Sequence, residues 1–167
     1  FSSRVSAITA PLSPKGLSFS FRRHRDKPWT LPLFIKNRMI NPLAAGVLSF
    51  LIDGTRTFFI CGTRGSGKSS FLSACMLEIM RKYRLITLED TLELPFSAFK
   101  KLGFNMVQMK VASALAHESS EFTATDGIRS TLRMGDSSLF VGEVRSKEAI
   151  ALFEAMRVGA GSNVVGG

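Results

Sequence analysis

Residues 62–69 read Gly-Thr-Arg-Gly-Ser-Gly-Lys-Ser, a glycine-rich spacing that gathers phosphates. Gly62, Gly65 and Gly67 let the backbone turn with positive dihedrals, so that several N–H groups of the run Gly62, Thr63, Arg64, Gly65, Ser66 and Gly67 meet one phosphate at a helix N-terminus. Lys68 then reaches the β- and γ-phosphates, Ser69 offers its hydroxyl to Mg²⁺, and Ser70 touches the next phosphate back. The chemistry expected is phosphoryl transfer from a nucleoside triphosphate, with ATP and Mg²⁺ as the cofactors.

Two carboxylates fall where such a site needs them. Leu85-Ile86-Thr87-Leu88 runs into Glu89-Asp90, with Glu93 beyond, and Leu139-Phe140-Val141-Gly142 runs into Glu143 and then Arg145. In an open parallel sheet, ligands bind outside the carboxyl ends of the strands. An acid there holds Mg²⁺ through water and orients the attacking water, which makes Glu143 and Glu89 the catalytic candidates and Ser69 with Glu143 the metal candidates. Taken singly, either acid also reads as a helix cap or a solvated loop group.

The elements that position these residues follow from the hydrophobic pattern. Thr57–Cys61 is a short apolar run that reads as a buried strand, and Ser70–Arg81 carries helical spacing through Phe71, Leu72, Cys75, Met76 and Ile79. Further strands are expected at Arg4–Ala10, Leu17–Arg22, Arg84–Leu88, Asn105–Val111 and Ser138–Val141. Helices are expected from Asn41-Pro42 to Asp53-Gly54, over Thr125–Met134 and over Ser146–Val158. Strands alternating with helices imply an α/β fold with a mainly parallel sheet. The expected organisation is the end of a small β-containing domain over 1–25, a linker over 26–40 and a P-loop domain over 41–167. The sequence opens on Phe and closes on Gly-Gly after an apolar Val164-Val165 pair, so it reads as a piece of something longer.

Charge is distributed unevenly. Residues 1–60 carry nine Lys or Arg against Asp26 and Asp53, whereas residues 61–167 carry thirteen against eleven acids. The basic end suits nucleic acid, an anionic membrane surface or the phosphates of a nucleotide on a neighbouring subunit. Cys61 and Cys75 fall at apolar positions, where a thiol packs as a small hydrophobe. The longest apolar run, Pro42–Ile52, is interrupted by Ser49 and falls short of the roughly 20 residues a membrane span requires.

Beyond the P-loop, Thr87-Leu88-Glu89-Asp90-Thr91-Leu92-Glu93 resembles the Asp box, and Leu139-Phe140-Val141-Gly142-Glu143-Val144-Arg145 the atypical Walker B, of the type II/type IV secretion ATPase superfamily. Within it the sequence is most similar to archaeal pilus or secretion assembly ATPases. The resemblance implies a RecA-like P-loop NTPase domain and a homo-oligomer, a hexamer, that hydrolyses ATP to power a pilus-like filament or a secretion system. It further implies a cytoplasmic protein seated peripherally on the inner face of the membrane against an integral platform protein.

Arg4-Val5-Ser6 and Gly16–Arg22 are similar to the last strands of that family's N-terminal domain, where arginines reach nucleotide across a subunit boundary. By that match Arg4 and Arg22 are candidate arginine fingers, with Arg23 a less well aligned neighbour, and Arg129 and Arg133 are secondary candidates. Ser69 replaces a common threonine with the hydroxyl retained, and the family's His box is expected immediately after residue 167.

Two readings of other classes compete. A nucleic-acid-transfer ATPase or DNA-binding protein is suggested by Arg22-Arg23-His24-Arg25 beside Trp29, although one aromatic is fewer than the several stacking platforms of single-strand binders, which argues against nucleic acid as a partner. A small-molecule P-loop kinase needs an acceptor pocket and a lid, and the upstream β element and the Gly-Glu form of Walker B argue against it.

Overall fold

Apolar runs long enough for one strand, each followed by an amphipathic helix, build most of the chain. The computed structural model describes residues 3–23, 27–63, 65–111, 123–135, 137–144, 148–157 and 163–166. Strands β1 (Ser3–Ile8) and β2 (Ser18–Arg23) form an antiparallel pair, with Val5 opposite Phe21 and Arg4 opposite Arg22. The remaining strands, β3 (Phe58–Ile60), β4 (Arg84–Glu89), β5 (Met106–Lys110), β6 (Ser137–Val141) and β7 (Asn163–Gly166), make one parallel sheet in the order β3-β7-β6-β4-β5.

Side-chain alternation along the strands sorts the core onto two faces of this sheet. On one face Leu85, Met106 and Phe140 pack with Leu72, Cys75 and Met76 of α3 (Lys68–Leu77) and Phe99 of α4 (Phe96–Lys101). On the other face Ile86, Leu88, Leu139 and Val141 pack with Ile128 of α5 (Ala124–Thr131) and Leu152 of α6 (Glu148–Arg157). β6 is buried along its whole length, as is β4 beyond Arg84, so each lies between two helical layers and delivers its C-terminal end to a fixed place.

A smaller cluster of Leu31, Phe34, Ala45 and Ala74 docks α1 (Leu31–Lys36) and α2 (Pro42–Asp53) on α3. Thr30 caps α1 by accepting the Leu33 N–H at 3.2 Å, and Asn41 caps α2 by accepting the Leu43 N–H at 2.8 Å, with proline in the first turn of each. Among the described residues no helix is long and apolar enough to cross a membrane.

Several expectations are corrected here. The stretch read as a linker contains α1, because Thr30 followed by Pro32 is a helix start inside an apolar run too short to show a period. α4 is an addition to the expected elements, its six residues spanning fewer than two turns and so showing no period. Val164 and Val165 belong to β7, which inserts between the P-loop strand and β6. α3 begins at Lys68 and stops at Leu77, earlier than the apolar spacing through Ile79 suggested. Cys75 is buried as expected, and burial, then the neighbouring Glu78, pushes its thiol up to about 12. Cys61 instead lies exposed just past the end of β3.

Candidate nucleotide site

β3 ends at Ile60 and α3 begins at Lys68, so the glycine-rich run lies between a strand end and a helix start. Gly65 (φ +81°) and Gly67 (φ +88°) occupy the left-handed region expected for a phosphate cradle. Gly62 does not have that dihedral; its requirement is steric, since a Cβ there would lie 2.6 Å from Ser66 Oγ. Gly67 caps α3 with no side-chain hydrogen bond, which leaves the first-turn amides of the helix facing the loop. Lys68 bends back over the loop, its Nζ donating to the carbonyls of Gly62 at 2.9 Å and Thr63 at 3.1 Å. Arg64 lies outside the described residues.

A cleft of about 130 Å³ opens beside this helix start. Ser69, Ser70 and Ser73 line it from α3, Glu93 and Pro95 from the loop after β4, and Arg22, Arg23, Lys27 and Trp29 from the end of the hairpin and the segment following it. Ser73 is held to the helix by donating its hydroxyl to Ser69 O at 2.8 Å. Three cations and three hydroxyls therefore converge on one opening at a helix N-terminus, a composition suited to a polyanion.

The two acids at strand ends have different surroundings. Glu89 is buried, with Oε1 accepting from the N–H groups of Glu93 (2.9 Å) and Leu94 (3.0 Å) and Oε2 accepting from Gln108 Nε2 (2.9 Å). Burial pushes its carboxyl up, and the hydrogen bonds from Gln108, Glu93 and Leu94 offset only part of that rise. Glu89 thus fixes the turn that presents Glu93 to the cleft. Glu143 is exposed at the end of β6, the strand beside β4. The glycine before it has a reason: a Cβ at Gly142 would meet Glu89 Cγ at 3.1 Å, while the Gly142 N–H donates to Leu88 O at 2.8 Å. The two acidic strand ends are consequently locked together.

Arg22 sits in the cleft with one guanidinium nitrogen 3.5 Å from Glu93 Oε1 of its own chain. The resemblance placed this arginine at a neighbouring subunit's nucleotide; here it lines the same opening as its own Ser69 and Ser70. Arg4 stands opposite Arg22 in the hairpin register, and its side chain lies outside the described residues. Arg129 pairs with Glu154 of α6 at 3.7 Å, an internal carboxylate. Lys27 and Trp29 in the cleft wall, and Gln108 behind Glu89, were not expected at the site. The signal for Gln108 was its polarity between the apolar Met106, Val107 and Met109 of its strand.

Residues 2–163 match the family described as type II/IV secretion system protein. The chain belongs to that family. An uncharacterised protein of Methanocaldococcus jannaschii is 32% identical over 158 residues, covering 94% of this chain and 28% of the relative. The VirB11 ATPase of the Brucella suis type IV secretion system is 24% identical with a TM-score of 0.58, over 98% of this chain and 54% of that one. The pilus retraction motor PilT, solved with bound ADP, is 18% identical with a TM-score of 0.62, over 98% of this chain and 46% of that one. The fold is thus the RecA-like P-loop architecture of the secretion ATPases preceded by a small β element, and the chain spans only a part of each of these proteins.

Proposed function

We propose that the protein binds and hydrolyses ATP as a motor subunit of a type II/IV secretion or pilus-assembly machine. The observation that carries this reading is the P-loop itself: left-handed Gly65 and Gly67 lead into α3, with Lys68 already folded over the loop mouth by two carbonyl contacts. A γ-phosphate offers the ammonium a stronger, charge-assisted partner than a neutral carbonyl, so Lys68 exchanges the loop for the nucleotide. Ser69, with Glu143 through water, would hold Mg²⁺, which would supply neutralisation of the phosphate charge. Glu143, exposed beyond β6, orients the attacking water. Glu89 assists by holding the Glu93–Leu94 turn and, through contact with Gly142, the approach of Glu143. Arg22 and Arg4 stabilise charge developing on the transferred phosphoryl group.

On this reading the working unit is a homo-hexamer acting from the cytoplasm, peripherally on an integral membrane platform protein, with no nucleic acid required. The test is ATP turnover by the purified protein and by Glu143→Gln, a change that leaves the size and hydrogen-bonding reach of the side chain. A loss of at least about 100-fold in kcat supports the assignment. Turnover by the variant equal to wild type removes Glu143 from the chemistry.

A further inference from the structure

We infer that Glu93 is a positioning residue that competes with the nucleotide's γ-phosphate for Arg22, so that the Arg22–Glu93 pair makes the cleft distinguish tri- from diphosphate. This rests on the ATP reading above and deepens it.

Arg22 is at the end of β2, part of the hairpin, whereas Glu93 is on the loop leaving β4, part of the sheet domain. Their 3.5 Å contact therefore bridges the small β element and the P-loop domain, at the rim of a cleft that Ser69 and Ser70 also line. The partners are unequal: the Arg22 side chain is 58% exposed and that of Glu93 17%. Glu93 is anchored from behind, because its N–H donates to the buried Glu89 carboxylate at 2.9 Å. The acid is a fixed post and the arginine a movable arm.

An ion pair at 3.5 Å with its arginine more than half exposed is weak, and its small strength is what allows exchange. A phosphate bearing extra negative charge and three acceptor oxygens, bound beside Ser69, outcompetes a single carboxylate for a guanidinium. With a diphosphate the oxygens that reach the arginine are missing and Arg22 stays on Glu93. Exchange of partner draws the hairpin toward the nucleotide, which converts the γ-phosphate into a change in position of the N-terminal element.

The test uses Trp29, the single tryptophan of the sequence, which lines the same cleft and reports occupancy by fluorescence. Affinities for MgADP and for the magnesium complex of a slowly hydrolysed ATP analogue are measured for wild type, Glu93→Gln, Arg22→Ala and the double variant, with circular dichroism to verify folding. Glu93→Gln is expected to tighten the triphosphate about two- to fivefold, the range of an exposed ion pair, and to leave ADP unchanged. Arg22→Ala is expected to lose the preference for triphosphate, and Glu93→Gln to have no further effect in that background. Raising salt on wild type alone, which weakens the pair without any substitution, is expected to narrow its difference from Glu93→Gln. The inference is overturned if Glu93→Gln changes the two nucleotides equally, changes neither, or acts just as strongly without Arg22. Failure of wild type to bind either nucleotide overturns the ATP reading instead.

Discussion

Replacing Glu89 separates the hydrogen bonds of this carboxylate from its charge. In Glu89→Ala the N–H groups of Glu93 and Leu94 and the amide of Gln108 lose their acceptor. A stranded buried donor costs about 1–3 kcal/mol, and only the Leu94 bond is wholly buried, the other two groups reaching water once the side chain is gone. Adding the small cavity, the expected loss is about 2–4 kcal/mol. In Glu89→Gln one amide oxygen still accepts from Glu93 and Leu94, and its NH₂ donates to Gln108 after that amide turns over. The buried charge is also removed, so stability at neutral pH stays within about 1 kcal/mol of wild type.

The pH dependence has a definite sign. Burial raises the Glu89 carboxyl above its ordinary 4.5, so on alkalinisation the unfolded chain releases this proton before the folded one. Its stabilising contribution is complete below 4.5 and is lost as pH rises through the raised value, a loss the Gln variant does not share. Urea unfolding followed by circular dichroism across this range measures both effects. Wild type as stable as Ala, or Gln as damaging as Ala, refutes the claim that these three hydrogen bonds hold the turn.

Other outcomes follow from the same geometry. Gly142→Ala forces a methyl to 3.1 Å from Glu89 Cγ, and the expected cost is about 1–3 kcal/mol in urea unfolding, with a further loss of turnover because Glu143 is the next residue. With a thiol reagent, the native protein is expected to react at Cys61 and not at buried Cys75, whose thiol lies near 12, and both react in denaturant. Asn41→Ala removes the acceptor of the Leu43 N–H and is expected to cost about 1 kcal/mol, read from the shift of the denaturation midpoint.

Much of the site was readable from residue types. The strand, loop and helix around residues 62–69 are local, and their signals agree: an apolar run, glycines at the turns, then an amphipathic stretch. The strands leading to Glu89 and Glu143 were equally clear, because each carries a buried apolar run and the first carboxylate after it marks the exit. What escaped depends on contacts distant in sequence. Gln108 is 19 residues from the carboxylate it supports, and Arg22 meets Glu93 only after the hairpin docks beside α3. Short helices such as α1 and α4 show too little period to be recognised, and β7 contributes four residues whose role depends on neighbours on both sides. Periodicity also could not tell that the exit of β3 turns Cys61 outward, since that depends on what covers the loop.

The most direct measurement is isothermal titration calorimetry of ATP into the folded protein with and without Mg²⁺, repeated with Lys68→Ala. Wild type is expected to give magnesium-dependent heat and the variant an affinity weakened about 10- to 100-fold, the worth of one charge-assisted contact to phosphate. Binding that ignores magnesium, or a Lys68→Ala protein that holds ATP as tightly as wild type, contradicts a nucleotide site built on this P-loop.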